Sequence, residues 1–169
     1  GDRIDHELSV SRYVVDREDP TGFSNQFEGT RTEVDYLGTM AVLKDSTLAF
    51  GADWVEEGSD VDGSTARSDN WAVFAELQHP LSERADLSVS LRQDLHSEFD
   101  DATTGRVALA YRLSDRTTLK GVVGTGFRAP SLYERFGPFG LATLEPETSR
   151  SAELGIAHET ENASFEAVV

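Results

Sequence analysis

Apolar and polar residues alternate with a period of two through almost the whole chain, and this restricts the fold more than any other feature. Over residues 87–95, Leu87, Val89, Leu91, Gln93 and Leu95 fall on one side, and Ser88, Ser90, Arg92 and Asp94 on the other. Residues 106–113 repeat the pattern, with Val107, Leu109, Tyr111 and Leu113 opposite Arg106, Ala108, Ala110 and Arg112. Successive strand residues point to opposite faces, whereas a helix needs apolar residues three and four apart, so each segment is a strand with one greasy and one wet side. The same reading places strands near residues 3–13, 27–42, 47–57, 70–80, 117–127, 151–159 and 164–169, nine in all. The chain is predicted to be all-β and antiparallel.

The connections between these strands alternate in length. Those at 43–46, 81–85, 114–116 and 160–163 are short, whereas those at 14–26, 58–69, 97–104 and 128–150 are long. Short turns at one end and long loops at the other are the habit of an up-and-down outer-membrane barrel. Trp54, Trp71 and Phe127 are expected on the apolar face at the long-loop end, and Tyr36, Tyr111 and Phe165 toward the short-turn end, as two interfacial girdles. The mean hydropathy of -0.40 does not oppose this, because barrel strands show only alternate residues to lipid. No apolar run approaches the roughly 20 residues of a spanning helix. Pattern alone also fits a soluble sandwich whose core takes the aromatics.

Residues 124–155 read GTGFRAPSLYERFGPFGLATLEPETSRSAELG. Gly124, Thr125, Gly126, Phe127, Arg128, Ala129, Pro130 and Ser131, then Leu144, Pro146 and Glu147, then Glu153 and Gly155, resemble a signature of the barrel half of TonB-dependent outer-membrane receptors. In that family a Gly-Thr-Gly-Phe-(Lys/Arg)-Ala-Pro-Ser strand end leads to a Leu-x-Pro-Glu-x-Ser turn and a strand with Glu-Leu-Gly. The segments at 27–40, 48–60 and 87–100 resemble the preceding family strands, in order, and within the family the resemblance is to the cobalamin and ferric-siderophore receptors. Two positions depart from the pattern: Gly140, Leu141, Ala142 and Thr143 stand where Gly-Asn-Pro-Asp is common, and Gln93 replaces the Tyr of an Arg-Tyr-Asp.

The resemblance implies an antiparallel transmembrane β-barrel segment of about nine strands from a plugged barrel of about 22. Residues 1–169 are then a partial barrel domain, without the plug, its TonB-contacting segment or the remaining strands. It further implies a bacterial outer-membrane transporter that takes up a ferric siderophore or cobalamin with energy from the TonB complex, acting through the plug. Outer-membrane lipid is the expected partner of the apolar face, and an isolated segment is expected to self-associate. A passive or soluble β-barrel that binds a surface ligand, as in adhesion, is the alternative.

Other chemistry has little support. A net charge of -16 repels nucleic acid. His6, His79, His96 and His158 lack the short spacings of zinc ligands, and no serine sits in a Gly-x-Ser-x-Gly elbow. Gly121, Gly124 and Gly126 lie inside a strand with no helix expected after it, which removes the context a phosphate loop needs. No catalytic residue is assigned.

Three groups remain as candidate binding residues. Arg92 and Asp94, on a polar strand face, are expected to point into the lumen and contact a plug. Tyr133, Phe136 and Phe139, with Leu141 and Leu144, make the 128–150 loop apolar and aromatic, suited either to gripping a flat chelate or to packing against neighbouring loops. Asp60 and Asp62 stand in an acidic stretch that either holds a loop-bound calcium or is plain solvated surface. No other cofactor is expected.

Overall fold

The computed structural model describes residues 4–22 and 25–169. Nine strands, β1 (Ile4–Glu18), β2 (Gln26–Leu43), β3 (Ser46–Val61), β4 (Ser64–Ser82), β5 (Ala85–His96), β6 (Ala102–Ser114), β7 (Thr117–Arg128), β8 (Glu147–Glu159) and β9 (Ser164–Val168), form one antiparallel sheet in chain order. Each strand pairs with the next, the up-and-down order read from the alternation. Residue 3, where the alternation begins the first strand, lies outside the described residues.

Register follows the pattern of polarity. Val89 stands opposite Val107 and Leu87 opposite Leu109, while Arg92 stands opposite Thr104 on the other face. One ladder row can be followed across eight strands as Ile4, Met40, Leu48, Leu77, Val89, Val107, Val123 and Ala152. A slip of one residue in β4 or β5 would put a polar side chain into that row, Glu76 or Gln78 in the one and Ser88 or Ser90 in the other.

The sheet is a single layer with no conventional core. Among the described residues the buried hydrophobics are Val61, Ala72 and Leu132, while Val73, Leu91 and Leu154 on the apolar face are 56%, 61% and 68% exposed. A sandwich would bury these against a second sheet about 10 Å away, so the aromatics do not fill a sandwich core. Two glycines let aromatic rings lie flat on the wall: the ring of Phe50 covers Gly38 on the apolar face, and the ring of Phe74 covers Gly51 on the polar face.

Three details differ from the sequence expectation. Residues 58–69 are not a long loop, because β3 and β4 stay paired to Val61 and Ser64 and turn on Asp62 and Gly63 alone. Both have positive φ, 51° and 87°, as the two-residue turn that suits strand twist requires. The dense charge there blurs the apolar alternation, although Asp-Gly was the signal. Second, a five-residue helix, α1 (Leu132–Phe136), follows β7. Its sign was Ser131 three residues before Glu134, a capping box. Third, β1 runs on to Glu18, past the expected end at residue 13, while Tyr36 stands opposite Ala52 in the short-turn half of β2. There its hydroxyl bonds His6 Nδ1 at 2.8 Å.

Candidate functional site

The long-loop end of the sheet gathers most of the candidate residues. β7 carries Gly124, Thr125, Gly126, Phe127 and Arg128, and Ala129, Pro130 and Ser131 lead into α1. Arg128 is the centre of a clamp. One guanidinium nitrogen donates to Glu134 Oε1 at 2.6 Å, and the other lies 3.4 Å from Glu147 Oε1 at the start of β8. Ser131 N and Oγ both donate to Glu134 Oε2, at 2.8 and 2.9 Å, and Glu134 N donates back to Ser131 Oγ at 3.2 Å. The Arg128 guanidinium, then the Ser131 backbone and hydroxyl donors, bring the Glu134 carboxyl down to about 2. The signature thus fixes how the chain leaves β7, turns and re-enters at β8. Leu144 and Pro146 lie on the return path, while Glu153 and Gly155 lie lower on β8, opposite Val122 and Lys120.

Thr125 does different work. The β6–β7 ladder ends at Arg106 and Gly124, and above that row the strands part. Thr125 Oγ1 accepts from Gly105 N at 3.0 Å, so a side-chain hydroxyl takes over from the backbone at the parting point. The fork holds a recess of about 1030 Å³, lined by loop residues 97–101, the upper ends of β6 and β7, and the 142–146 return.

The loop between β7 and β8 bends over the polar face. Leu132 is buried there, and Arg135, with its side chain 12% exposed, ties this loop to the β5–β6 connection. Its guanidinium lies 4.8 Å from the ring centroids of both Phe99 and Phe136, 3.2 Å from Glu98 Oε2 and 3.4 Å from the Ala142 carbonyl. Tyr133 meets Phe27 edge-on at 5.9 Å, and Phe139 is 80% exposed. Of the three predicted ring contacts, Tyr133 and Phe136 are more covered than Phe139, which lines one recess with Tyr133 and Phe27. Sequence reading missed Arg135, whose partners are remote in the chain.

Below the loop lies a second recess of about 540 Å³, walled by the polar face of β2 to β5. Arg92 and Asp94 sit here, and they already satisfy one another. Arg92 donates to both oxygens of Asp53 at 2.7 and 2.9 Å and to Asp94 at 2.9–3.1 Å, and Asp94 also accepts from Asn70 Nδ2 at 3.0 Å. Arg31 bridges Glu57 at 2.6 Å and Glu33 at 3.2 Å beside them. Asp53 and Arg31 were not singled out in the sequence, since register alone brings them to Arg92.

Asp60 and Asp62 use their carboxylates on backbone donors. Asp60 accepts from Gly63 N at 2.7 Å, and Asp62 from Asn25 N and Gln26 N at 3.0 and 2.9 Å. Among the described residues no three His, Asp or Glu side chains gather to hold a metal. Trp54 and Trp71 lie side by side on the apolar face, with centroids 6.0 Å apart, while the Phe127 ring reaches His96 at 5.4 Å. No helix among the described residues is long and apolar enough to cross a membrane, which leaves crossing by strands open.

Comparison with known proteins agrees with this geometry. Residues 3–168 match the family model described as TonB dependent receptor-like, beta-barrel. The vitamin B12 transporter BtuB of Vibrio cholerae is 36% identical over 112 residues, 64% of this chain and 18% of that protein. The BtuB of Vibrio vulnificus is 31% identical over 134 residues, 75% of this chain and 22% of that protein. The iron-regulated outer membrane virulence protein of Vibrio cholerae is 29% identical over 138 residues, 72% of this chain and 21% of that protein. Among solved structures, a mutant ferric enterobactin receptor of Pseudomonas aeruginosa superposes with a TM-score of 0.79 at 19% identity, over 99% of this chain and 31% of that one. The siderophore receptor PirA of Acinetobacter baumannii gives 0.78 at 16% identity, over 98% and 31%. The chain thus spans about a fifth of the length of the curated relatives it matches.

Proposed function

This chain belongs to the TonB-dependent receptor β-barrel family of the bacterial outer membrane, and from that premise we propose that it forms about nine strands of the wall and mouth of an active transporter. The substrate is a scarce chelate, a ferric siderophore or a cobalamin, and the energy comes from the TonB complex through a plug seated against the polar face. The sheet is a single layer, apolar on one side and ionic on the other, and that observation carries the reading. Such a wall needs lipid on one side and a wet lumen or plug on the other.

Arg92, Asp94 and their neighbours serve as the plug-facing wall. These pairs are part-buried, with the Asp53 and Asp94 side chains far less exposed than Arg92, so the open side of the Arg92 guanidinium is what a moving plug can engage and release. Tyr133, Phe136 and Phe139 supply ring surface to the chelate. Asp60 and Asp62 add a calcium to the outer loops in this reading, although their carboxylates also serve the turn directly.

Uptake of labelled cobalamin and of a labelled ferric siderophore is the test, in cells with and without the receptor that carries this chain, each with and without TonB. Accumulation that needs both proteins supports the proposal. Binding without TonB-dependent accumulation would favour a passive binding barrel instead.

A further inference from the structure

We propose that this arc of the mouth selects a ligand without net negative charge, an uncharged or cationic chelate, and turns away anionic ones; the inference rests on the uptake reading above. It starts from the state of the cations. Recognition of an anionic chelate needs positively charged donors free to turn toward it. Here Arg31 is held by Glu33 and Glu57, Arg67 by Glu56, and Arg128 by Glu134 and Glu147. Arg135 is held by Glu98 and covered by two rings, and Arg92 is held by Asp53 and Asp94. Among the described residues lining the β6–β7 recess, Arg150 is the one cation with no carboxylate in ion-pairing range. To meet an anion, the others would have to abandon a carboxylate, which would then face the ligand itself.

The remaining charge points the same way. Asp100, Asp101 and Glu145 line the recess, and all three are exposed. At a net charge of -16 for the chain, the field over this end opposes an anion before contact. Beside the single unpaired Arg150, the recess offers neutral groups: the hydroxyls of Thr103, Thr104 and Ser149, the Phe127 ring, and the Phe99 ring, one side of which Arg135 already covers. Hydroxyls and carboxylates accept hydrogen bonds from amides and hydroxyls, and ring faces take apolar edges or a cation. A bulky neutral or cationic chelate with peripheral amides fits this surface, and a tris-catecholate with its triple negative charge does not.

The test titrates the purified complete receptor in detergent with three probes: cyanocobalamin as an uncharged corrinoid, a cationic ferric trihydroxamate, and the anionic ferric tris-catecholate of enterobactin. At low salt the tris-catecholate is expected to bind at least roughly tenfold more weakly than the better of the other two. That gap should narrow as salt screens the carboxylates. The combined variant Asp100→Asn, Asp101→Asn, Glu145→Gln should narrow it several-fold as well. Tris-catecholate binding as tight as either other probe, or a gap unmoved by the variant, overturns the charge selection and leaves the uptake reading standing. Failure of all three probes to bind a receptor that still unfolds cooperatively overturns both.

Discussion

The two faces of the sheet share every strand and every turn, yet they are different materials. The apolar row from Ile4 to Ala152 has, one residue along, a partner row of Asp5, Thr39, Ala49, Glu76, Ser90, Arg106, Gly124 and Ser151. Neighbours on the first row offer each other only dispersion and a dry surface. On the second face, carboxylates are linked across strands to a guanidinium or an ammonium, as in Arg92 to Asp53 at 2.7 Å and Lys120 to Glu166 at 2.6 Å. Parity alone assigns a residue to one material or the other, so the cost of a substitution should depend on parity more than on depth in the chain.

The largest expected effect comes from putting charge on the wrong side. Leu109→Arg or Val89→Arg should destabilise the intact receptor in lipid by roughly 2–4 kcal/mol, measured by reversible unfolding in vesicles. Ser90→Arg, one position from Val89 on the other face, should cost far less, and equal losses would break the distinction between faces.

Next comes removal of charge from the polar face. Arg92→Met leaves Asp53 and the buried Asp94 close together without their cation, and we expect a loss of roughly 1–3 kcal/mol, less than for a fully buried pair because Arg92 stays part-exposed. Adding Asp53→Asn should recover part of that loss in a double-mutant cycle.

The two ring-covered glycines sharpen the comparison further. A Cβ at Gly51 would meet the Tyr36 carbonyl oxygen at 2.2 Å as well as the Phe74 ring, whereas a Cβ at Gly38 meets only the Phe50 ring. Gly51→Ala should therefore cost about 1–3 kcal/mol and Gly38→Ala less, since a ring can swing and a ladder carbonyl cannot. Melting temperatures of the two variants would rank them. Lys120→Met removes a half-exposed pair with Glu166 and should cost no more than about 1 kcal/mol.

The smallest effect lies beyond both faces, at the clamp. Arg128, and then the Ser131 donors, hold the Glu134 carboxyl at about 2, below its ordinary 4.5. A depressed carboxyl contributes ordering that is complete above the ordinary value and is lost as pH falls through the folded one. Amide exchange at residues 131–136, corrected for intrinsic rates, should thus rise between about pH 4.5 and 2. Glu134→Gln should flatten that profile.

Strand number, order and facing were legible because the alternation is local and survives each tight turn; Leu87, Val89 and Leu91 declare their side without help from any neighbour. The Asp62-Gly63 turn was equally local, but the charged flanks, Glu56 to Asp69, gave no apolar beat to show that the strands continued. The signature residues were legible as a signature, while their division of labour was not. That Arg128 reaches both Glu134 and Glu147, and that Thr125 serves a backbone group of another strand, depends on register across β6 to β8. Arg135 was hidden for the same reason, since its ring partner Phe99 belongs to a different loop.

The hydroxyl of Thr125 has a mechanical consequence. Below the row of Arg106 and Gly124 the wall is a continuous weave, whose girth is fixed by strand count and spacing. Above it the weave is slit, and the two sides are joined by one side chain and by the contacts of the overlying loop. Pulling β6 and β7 apart at the rim would therefore load the Thr125 hydroxyl and the Arg135 contacts first, and the backbone rungs beneath only after those had given way.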